Sequence, residues 1–497
     1  MNKKTKILLV YPVISTSNTN TSTYSAPLGL ASIATFCNQN LKGIEIKILD
    51  GSLMQHQEQI EFCRSYKPNI IGLSPTVSSQ KNAYEIAELA KNNDALVLFG
   101  GVNSSNLFRN MLKNREFIDG VILFDGEIPF YQIVKKFIEG KKSKEDLFTE
   151  TPNVAYKKKN GEICEPSKIY IPRLEDIPKI DYSVLDMKRF LEQTRKRGFG
   201  SAITYYTGKG CAKRSGGDIE KEYSFDEYIN LVKAMKTCGF CGRNELGFRT
   251  LSQDKEAEIV RELYNKYGIT RFFNVQDTIK INYQGNKSLG LENCIFRLFV
   301  GIENINEKNI SLLKQRYGPN IILQAGIESA DPNMRKAFGK VQIDKSKLIK
   351  IFDLMEKEKI KLHPSFIYGG KGETKESIET TISIIEEIAR RPSLSDWILV
   401  SPEMLLPGSP DFRNMLEEFP EMKENYENKD VISLIQSNKD FLKCYTKLDR
   451  NIILTYLKTT GELIKKLNPN ATYDVKGIGL DEERFVKPIW KHLEKFV

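Results

Sequence analysis

Residues 201–241, SAITYYTGKGCAKRSGGDIEKEYSFDEYINLVKAMKTCGFC, contain three of the eight cysteines of the chain. Cys238 and Cys241 stand three positions apart after a helix-period run, so their thiolates can bind one metal centre from a single loop. Cys211 lies upstream, at the end of a strand candidate. A four-iron cluster on three cysteines, a zinc site and a redox or structural dithiol all fit this spacing. Zinc needs a fourth ligand, yet none of the three histidines lies near the pair.

Strand candidates alternate with helix-period segments over residues 201–415. The strands are SAITYYTG, TRFFNVQD, IILQAGIES, KLHPSFIYGG and DWILVSPEMLLPG, and the helices include DKEAEIVRELYNKYG, KSKLIKIFDLMEKEK and KESIETTISIIEEIARR. This alternation predicts a partial α/β barrel with its site at the carboxyl ends of the strands. Residues 416–497 have a helical period and many lysines, which predicts a small helical C-terminal region.

Residues 1–148 show the same alternation, with strand candidates KILLVYP, IEIKILD, NIIGLS, ALVLFGG and DGVILF. We therefore expect an N-terminal Rossmann-like domain, whose ligand would lie beyond the carboxyl ends of its parallel strands. Small or polar residues stand there: Ser74, Thr76, Gly100, Gly101, Gly126 and Glu127. They fit either a large ligand close to the backbone or ordinary strand-to-helix turns. Residues 149–200 form a connector, with a hairpin in NVAYKKKNGEICEP that turns at Asn160 and Gly161.

Composition limits the classes of function. The 497 residues are 40% hydrophobic and 28% charged, with a net charge of +10 from 74 basic and 64 acidic residues. No basic stripe with interleaved aromatics stands out, so we expect no nucleic-acid partner. No apolar run is long enough for a membrane span, and MNKKTKILLVYPVI is interpreted as a first strand, which predicts a cytoplasmic protein. Five cysteines stand singly and are expected in the core: Cys37, Cys63, Cys164, Cys294 and Cys444.

Several short segments follow one another in an order that resembles the radical-SAM superfamily, in its branch with an N-terminal cobalamin-binding domain. They are GKGC…CGFCGR, Gln276–Asp277, AGIES at 325–329 and YGGKGET at 368–374. The N-terminal segments APLGLASIATF, PNIIGLS, LFGGVN and DGVILFDGEIPF, and the connector IPRLEDIPKIDY, are similar to the same branch. The resemblance covers about residues 5–415.

The resemblance implies three cofactor sites. Cys211, Cys238 and Cys241 would hold a 4Fe-4S cluster, and Phe240 would lie against the adenine of S-adenosylmethionine (SAM). Further SAM-binding residues would be Asp277, Gly326, Glu328, Ser329, Gly369, Gly370 and Gly372. Cobalamin would be bound by Leu28, Gly29, Ser74, Thr76, Gly100, Gly101, Gly126 and Glu127. On the residues alone, Phe240 also fits a core position, Asp277 a helix cap, His363 a packed histidine and Lys340 a solvated helix face.

The resemblance also implies a reaction. An electron from the reduced cluster would cleave the carbon–sulfur bond of SAM, and the 5'-deoxyadenosyl radical would abstract hydrogen from a small-molecule or peptide substrate. A flavodoxin or ferredoxin would supply the electron. Cobalamin-dependent methylation of an unactivated centre is the expected outcome. A radical rearrangement without methyl transfer, a degenerate member acting as a binding protein, and a zinc-binding nucleic-acid protein are the alternatives.

Two features depart from the family pattern. The family keeps its first two cluster cysteines close together, whereas residues 212–237 separate Cys211 from Cys238 here. This stretch has a turn at 215–217 and a helix-period run, FDEYINLVKAMK; it fits either a looped-out insertion, which costs little free energy, or a lost ligand. We expect substrate specificity in this stretch and in the helical tail. In addition, no Asp-x-His-x-x-Gly motif, whose histidine ligates cobalt in many cobalamin domains, follows the first strand, and His56 lies after the second. Members of the branch that lack this motif either still bind cobalamin or have lost it and keep only the fold.

Overall fold

The N-terminal domain is a seven-stranded sheet with helices on its faces. The structure, a computed structural model, describes residues 4–14, 25–214, 221–235, 237–243, 245–279, 281 and 287–475. The strands are β1 Thr5–Tyr11, β2 Ile44–Asp50, β3 Ile70–Leu73, β4 Leu96–Phe99, β5 Gly120–Ile122, β6 Val154–Lys157 and β7 Ile163–Cys164. The helices are α1 Leu28–Asn40, α2 His56–Tyr66, α3 Gln80–Lys91, α4 Gly101–Asn114, α5 Glu127–Ile138 and α6 Lys144–Phe148.

The strand order β2-β1-β3-β4-β5 is parallel throughout, which confirms the predicted Rossmann-like sheet. The connector hairpin is also confirmed, but its strands β6 and β7 extend this sheet in antiparallel fashion. The sheet therefore continues past residue 148, the boundary expected from the sequence. After the hairpin come β8 Ile169–Tyr170 and α7 Met187–Lys196, which lead into the second domain.

The second domain is a half-barrel of seven parallel strands: β9 Ala202–Tyr205, β13 Arg271–Asn274, β14 Ile295–Val300, β15 Ile321–Glu328, β16 Lys361–Tyr368, β17 Trp397–Pro402 and β18 Thr472–Val475. Their order in the sheet is β18-β17-β16-β15-β14-β13-β9. Its helices are α9 Gln253–Tyr267, α10 Glu307–Tyr317, α11 Pro332–Ala337, α12 Lys345–Lys357 and α13 Lys375–Ala389. The predicted partial barrel is confirmed, whereas β14 and β18 were missed in the sequence.

The segment with the three cysteines leaves the half-barrel as a separate hairpin. Strands β10 Gly208–Gly210 and β12 Phe248–Thr250 pair antiparallel, and the chain between them includes β11 Glu222–Tyr223 and α8 Phe225–Ala234. Helix α8 confirms the helix predicted from FDEYINLVKAMK. The turn expected at residues 215–217 lies outside the described residues.

The C-terminal region joins the two domains. Its helices are α14 Pro410–Glu418, α15 Pro420–Tyr426, α16 Leu434–Tyr445 and α17 Arg450–Leu467. Phe412, Met415 and Phe441 share a core with the N-terminal sheet, and Arg115 of α4 binds Asp430 at 2.6 Å. Strand β18 then returns to the half-barrel, so this region is not only helical. No helix within the described residues is long and apolar enough to cross a membrane.

A buried ion pair fixes α9 against α10 at the edge of the half-barrel. Arg316 and Glu256 are 1% and 2% exposed, and the Arg316 Nε donates to Glu256 at 2.8 Å. The hydroxyls of Tyr205 and Tyr317 donate to the other carboxylate oxygen of Glu256, at 3.2 and 2.9 Å. Both charges are therefore hydrogen-bonded as well as paired, which burial requires.

We predict that Arg316→Met destabilises the fold by about 3–5 kcal/mol, because it leaves the Glu256 carboxylate buried without a countercharge. The double variant Arg316→Met/Glu256→Leu should recover most of this loss. Urea unfolding followed by circular dichroism measures both. Lys357→Met, which breaks an exposed pair with Glu307, is the matched control and should cost less than about 1 kcal/mol. Equal losses for the buried and exposed variants would contradict the assignment.

Candidate functional site

A cavity of about 270 Å³ lies between the two domains. Its N-terminal wall is formed by the carboxyl ends of the parallel strands, and its other wall includes Tyr206, Lys209, Arg243 and Asp277 from the half-barrel domain. Seven of the eight residues expected at a cobalamin site line it: Leu28, Gly29, Ser74, Gly100, Gly101, Gly126 and Glu127. Thr76 does not line it, because Thr76 begins a short 3-10 turn and bonds to Ser79.

The glycines of the cavity have different structural reasons. Gly101 has a φ of +84°, which favours glycine, and a Cβ there would lie 2.7 Å from the Ser74 Oγ. A Cβ on Gly126 would lie 2.9 Å from the Ile33 Cδ1, so the Ile33 side chain would have to shift. A Cβ on Gly29 would meet no atom within 4 Å. The glycine at position 29 therefore keeps one stretch of the cavity wall free of side chains, which suits a bulky ligand.

Four charged side chains connect the domains at this cavity. Asp125 and Glu127 follow β5, and the Lys209 ammonium reaches them from the other domain at 2.9 and 2.8 Å. Arg249 binds Asp125 at 2.9 Å. Burial would raise the pKa of Asp125, but Lys209 and Arg249 lower it to about 2. The Asp125 carboxylate is therefore ionised at neutral pH, and burial of the group is compensated by two cations.

Arg243 and Asp277 form a second ion pair on the half-barrel wall of the cavity, with 3.1 Å between the Arg243 Nε and the Asp277 Oδ1. No helix starts at Asp277 within the described residues, so the helix-cap interpretation is wrong. Asp277 faces the cavity instead, beside the guanidinium of a residue only two positions after Cys241. Burial lowers the pKa of Arg243, but Glu245 and Asp277 outweigh it and raise the value, so the guanidinium is charged.

The three candidate cluster ligands lie in one region but do not converge. Cys238 and Cys241 share a tight turn, in which the Cys241 N–H donates to the Cys238 carbonyl at 3.1 Å. The Lys213 ammonium, two residues after Cys211, lies 3.6 Å from the Cys238 thiol. Within the described ranges no three His, Cys, Asp or Glu side chains are arranged to hold a metal ion. The structure thus places Cys238 and Cys241 in one turn, and the binding of a cluster by Cys211, Cys238 and Cys241 stays a prediction.

The turn with Cys238 and Cys241 is held from two sides. The Gly239 N–H donates to the Phe338 carbonyl at 3.3 Å, and the Gly239 carbonyl accepts from the Asp411 N–H at 2.9 Å. Phe240 packs edge-on against Phe338, with ring centroids 6.0 Å apart. Phe240 is half-buried against this small apolar cluster, so part of its surface remains exposed.

Glu328 ends β15 in a strained conformation beside the cysteine turn. Its φ is +62°, and the strand pairing shifts at a bulge between Gly326 and Glu328. The Glu328 carboxylate binds the Lys340 ammonium at 2.9 Å, and Lys340 lies 5.6 Å from the centre of the Phe240 ring. The prediction of Lys340 as a solvated helix face is wrong, because Lys340 follows α11 and its side chain is only 19% exposed. Strain of this kind concentrates at functional sites.

The other expected SAM residues have partners inside the protein. A Cβ on Gly326 would overlap the Glu328 carboxylate, and the Ser329 hydroxyl bonds to Thr381 at 2.9 Å. Gly369 and Gly370 donate their N–H groups to the Glu373 carboxylate. Gly372 adopts a φ of +80°, which favours glycine. Together they shape the carboxyl ends of β15 and β16 next to the cysteine turn.

His363 bonds to Asp396 at 2.9 Å and is buried, which confirms a packed histidine.

Sequence reasoning missed a group of buried carboxyls at the same sheet edge. Glu403 follows β17, is fully buried, and has no hydrogen-bond partner for either carboxylate oxygen among the described residues. Burial raises the pKa of Glu403 well above its usual value, and three neighbouring carboxylates add to this: Asp411, Glu328 and Glu373. Burial also raises the pKa of Glu373 to about 7. No local sequence signal marks these residues, because their neighbours come from distant segments.

Comparisons with known proteins agree with this geometry. No family model matches the chain. A protein of Pyrococcus horikoshii described as an uncharacterized methyltransferase is 26% identical over 403 residues, covering 78% of this chain and 79% of that protein. The anaerobic magnesium-protoporphyrin IX monomethyl ester cyclase of Cereibacter sphaeroides is 22% identical over 398 residues, covering 75% of this chain and 58% of that protein.

Two solved structures are similar in fold. The radical S-adenosylmethionine methyltransferase TsrM of Kitasatospora setae, with cobalamin and a [4Fe-4S] cluster, gives a TM-score of 0.60 at 14% identity over 84% of this chain and 75% of TsrM. The cobalamin-dependent S-adenosylmethionine radical enzyme OxsB gives 0.64 at 15% identity over 99% of this chain and 71% of OxsB. The fold expected from the resemblance to the cobalamin-binding branch of the radical-SAM superfamily is confirmed, because this chain has the fold of these two enzymes.

We predict that Glu403→Gln stabilises the protein increasingly as pH rises from 5 to 8. Above about pH 4.5 the unfolded state loses the Glu403 proton, whereas the folded state keeps it because its pKa is raised. The stability that wild type gains from the protonated carboxyl is therefore full below that pH and is lost as pH rises through the folded pKa. The slope is at most about 1.4 kcal/mol per pH unit. Urea unfolding at several pH values measures it, with exposed Glu424→Gln as control. A difference independent of pH would refute the prediction.

Proposed function

We propose that this chain is a cobalamin-dependent radical-SAM methyltransferase. The observation that carries the proposal is the continuity of one short segment, Cys238–Arg243. It begins with two cysteines joined by a backbone hydrogen bond and ends with a guanidinium on the wall of the interdomain cavity. A cluster on those thiols would therefore adjoin the cavity between the carboxyl ends of two parallel sheets, where both folds place their ligands.

The residues present suit the three cofactors. Cys238 and Cys241, with Cys211, would hold the cluster. Phe240 would pack against the SAM adenine, and Glu328 would lie near the cationic end of SAM. Gly29 leaves room on the cavity wall for cobalamin, and one carboxylate oxygen of Glu127 has no hydrogen-bond partner within the described part of the chain. When bound, these groups supply an electron, a deoxyadenosyl radical and a transferable methyl group.

The protein itself positions the cofactors and the substrate and shields them from water. The apolar part of the cavity wall, which includes Leu28, Ile33, Phe130 and Val275, excludes water from reactive species. Arg243 and Asp277 place fixed charges on the cavity wall, so a polar small molecule or peptide would suit the site. The proposal includes a cytoplasmic location and a flavodoxin or ferredoxin as electron donor. The similar proteins described as methyltransferases favour methyl transfer over a radical rearrangement.

We predict that anaerobically reconstituted protein binds about four irons per chain and retains cobalamin after desalting. Cys238→Ala and Cys211→Ala should each lose the iron, because each removes a cluster ligand. Iron and sulfide assays, the visible spectrum and formation of 5'-deoxyadenosine from SAM measure these outcomes. Cys294→Ala removes a thiol buried in the half-barrel core and is the matched control, which should keep its iron.

The outcomes separate the alternatives. Deoxyadenosine without label transfer from methyl-deuterated SAM, once a substrate is found, would indicate a radical rearrangement. Protein that binds no iron after reconstitution would refute the enzyme and leave a degenerate binding protein. If the iron is retained in Cys211→Ala but lost in Cys238→Ala, Cys211 is not a cluster ligand, while Cys238 remains one.

A further inference from the structure

The hairpin that carries the cysteines is anchored to the opposite domain. Strands β10 and β12 pair so that Lys209 lies directly opposite Arg249. Residues 211–247 form the connection between these two strands and include the three candidate cluster ligands; we call them the cysteine segment. The two opposed cations thus stand at the base of the cysteine segment, and Lys209 is only two residues from Cys211.

Both cations bind carboxylates that belong to the N-terminal domain. Lys209 bridges Asp125 and Glu127, and Arg249 adds a bond to Asp125 at 2.9 Å. The other three members of this network are between 2% and 8% exposed: Asp125, Glu127 and Arg249. Buried, hydrogen-bonded charge pairs hold their geometry far better than exposed ones. The base of the cysteine segment therefore follows the position of the β5–α5 turn.

Glu127 belongs to this charge network and also lines the cavity. One of its carboxylate oxygens, Oε1, accepts hydrogen bonds from the Ser32 hydroxyl at 2.7 Å and the Lys209 ammonium at 2.8 Å. The other, Oε2, is buried and has no partner among the described residues, although Glu127 lines the cavity. An unsatisfied buried carboxylate oxygen is costly, so a hydrogen-bond donor on a cavity ligand would be favoured there.

We propose that Glu127 and Lys209 are positioning residues that couple occupancy of the cobalamin cavity to the cysteine segment. The inference rests on the proposed function. Cobalamin carries carboxamide groups, whose N–H can donate to the Glu127 Oε2. A ligand that fixes the Glu127 carboxylate also fixes the Lys209 ammonium, and with it the strand that ends beside Cys211. Because linkage is reciprocal, if bound cobalamin strengthens cluster binding, the cluster must strengthen cobalamin binding by the same factor.

The test measures this linkage with the full-length protein. Hydroxocobalamin is titrated by its absorbance into protein with and without a reconstituted cluster. The electron paramagnetic resonance spectrum of the reduced cluster is recorded with and without hydroxocobalamin. In wild type, we expect the cluster to tighten hydroxocobalamin binding by about fivefold or more, within the usual range of coupling between sites, and hydroxocobalamin to change the cluster spectrum.

Two variants locate the coupling. Glu127→Gln and Lys209→Gln should each keep an iron content near wild type but reduce the fivefold ratio towards one. The double variant should reduce this affinity ratio no further than either single variant does, because both substitutions interrupt the same connection. Lys91→Gln breaks another pair with a buried carboxylate, Asp119, in the same domain but away from the cavity, and should leave the ratio unchanged. Circular dichroism and melting temperature check that the variants fold.

Each failure is distinguishable. Wild type that binds no iron or no hydroxocobalamin would refute the proposed function. Wild type that binds both, with equal hydroxocobalamin affinity with and without the cluster, would refute only the coupling. A ratio that survives both glutamine substitutions would place the coupling elsewhere. If a variant unfolds, the comparison of affinities and spectra in wild type still decides whether the two sites are linked.

Discussion

The buried charge network between Asp125, Glu127, Lys209 and Arg249 is the constraint on which the arrangement of the two domains depends. A carboxylate or ammonium buried alone costs several kcal/mol, so neither side of this interface is stable in its present form without the other. The lowered pKa of Asp125 shows that the two cations outweigh burial. Because Asp125, Glu127 and Lys209 also line the cavity, the interaction that joins the domains also shapes the candidate site.

The helices after the half-barrel reinforce the same interface from another side. Residues of α14 and α16 pack with the N-terminal sheet, while β18 completes the sheet of the half-barrel. The chain thus crosses between the domains several times, and Arg115 binds Asp430 across one of these crossings. A cavity between two domains that are joined repeatedly keeps a defined shape. Such pre-formed shape favours binding of a large cofactor.

The sequence predicted most strands because buried parallel strands are apolar runs, and it failed where a strand breaks that rule. Strand β14 contains Arg297 at its centre; the guanidinium is buried by stacking on Phe273 and Trp397, at 4.4 and 5.1 Å. Strand β10 is Gly-Lys-Gly, which has little intrinsic strand propensity. The cavity residues after β3, β4 and β5 were predictable from topology alone. Lys340 and Glu403 were not, because partners distant in sequence determine their burial.

The anchored hairpin also explains how this fold accommodates a long segment between Cys211 and Cys238. The register of β10 and β12 is fixed by their own hydrogen bonds and by the two cations that bind the N-terminal domain. Residues added between the strands leave this base unchanged, and lengthening a loop costs only about 0.6 kcal/mol per doubling. Cys238 and Cys241 are held separately, by backbone bonds of Gly239 to Phe338 and Asp411. Departure from the family spacing is therefore compatible with an intact turn for Cys238 and Cys241.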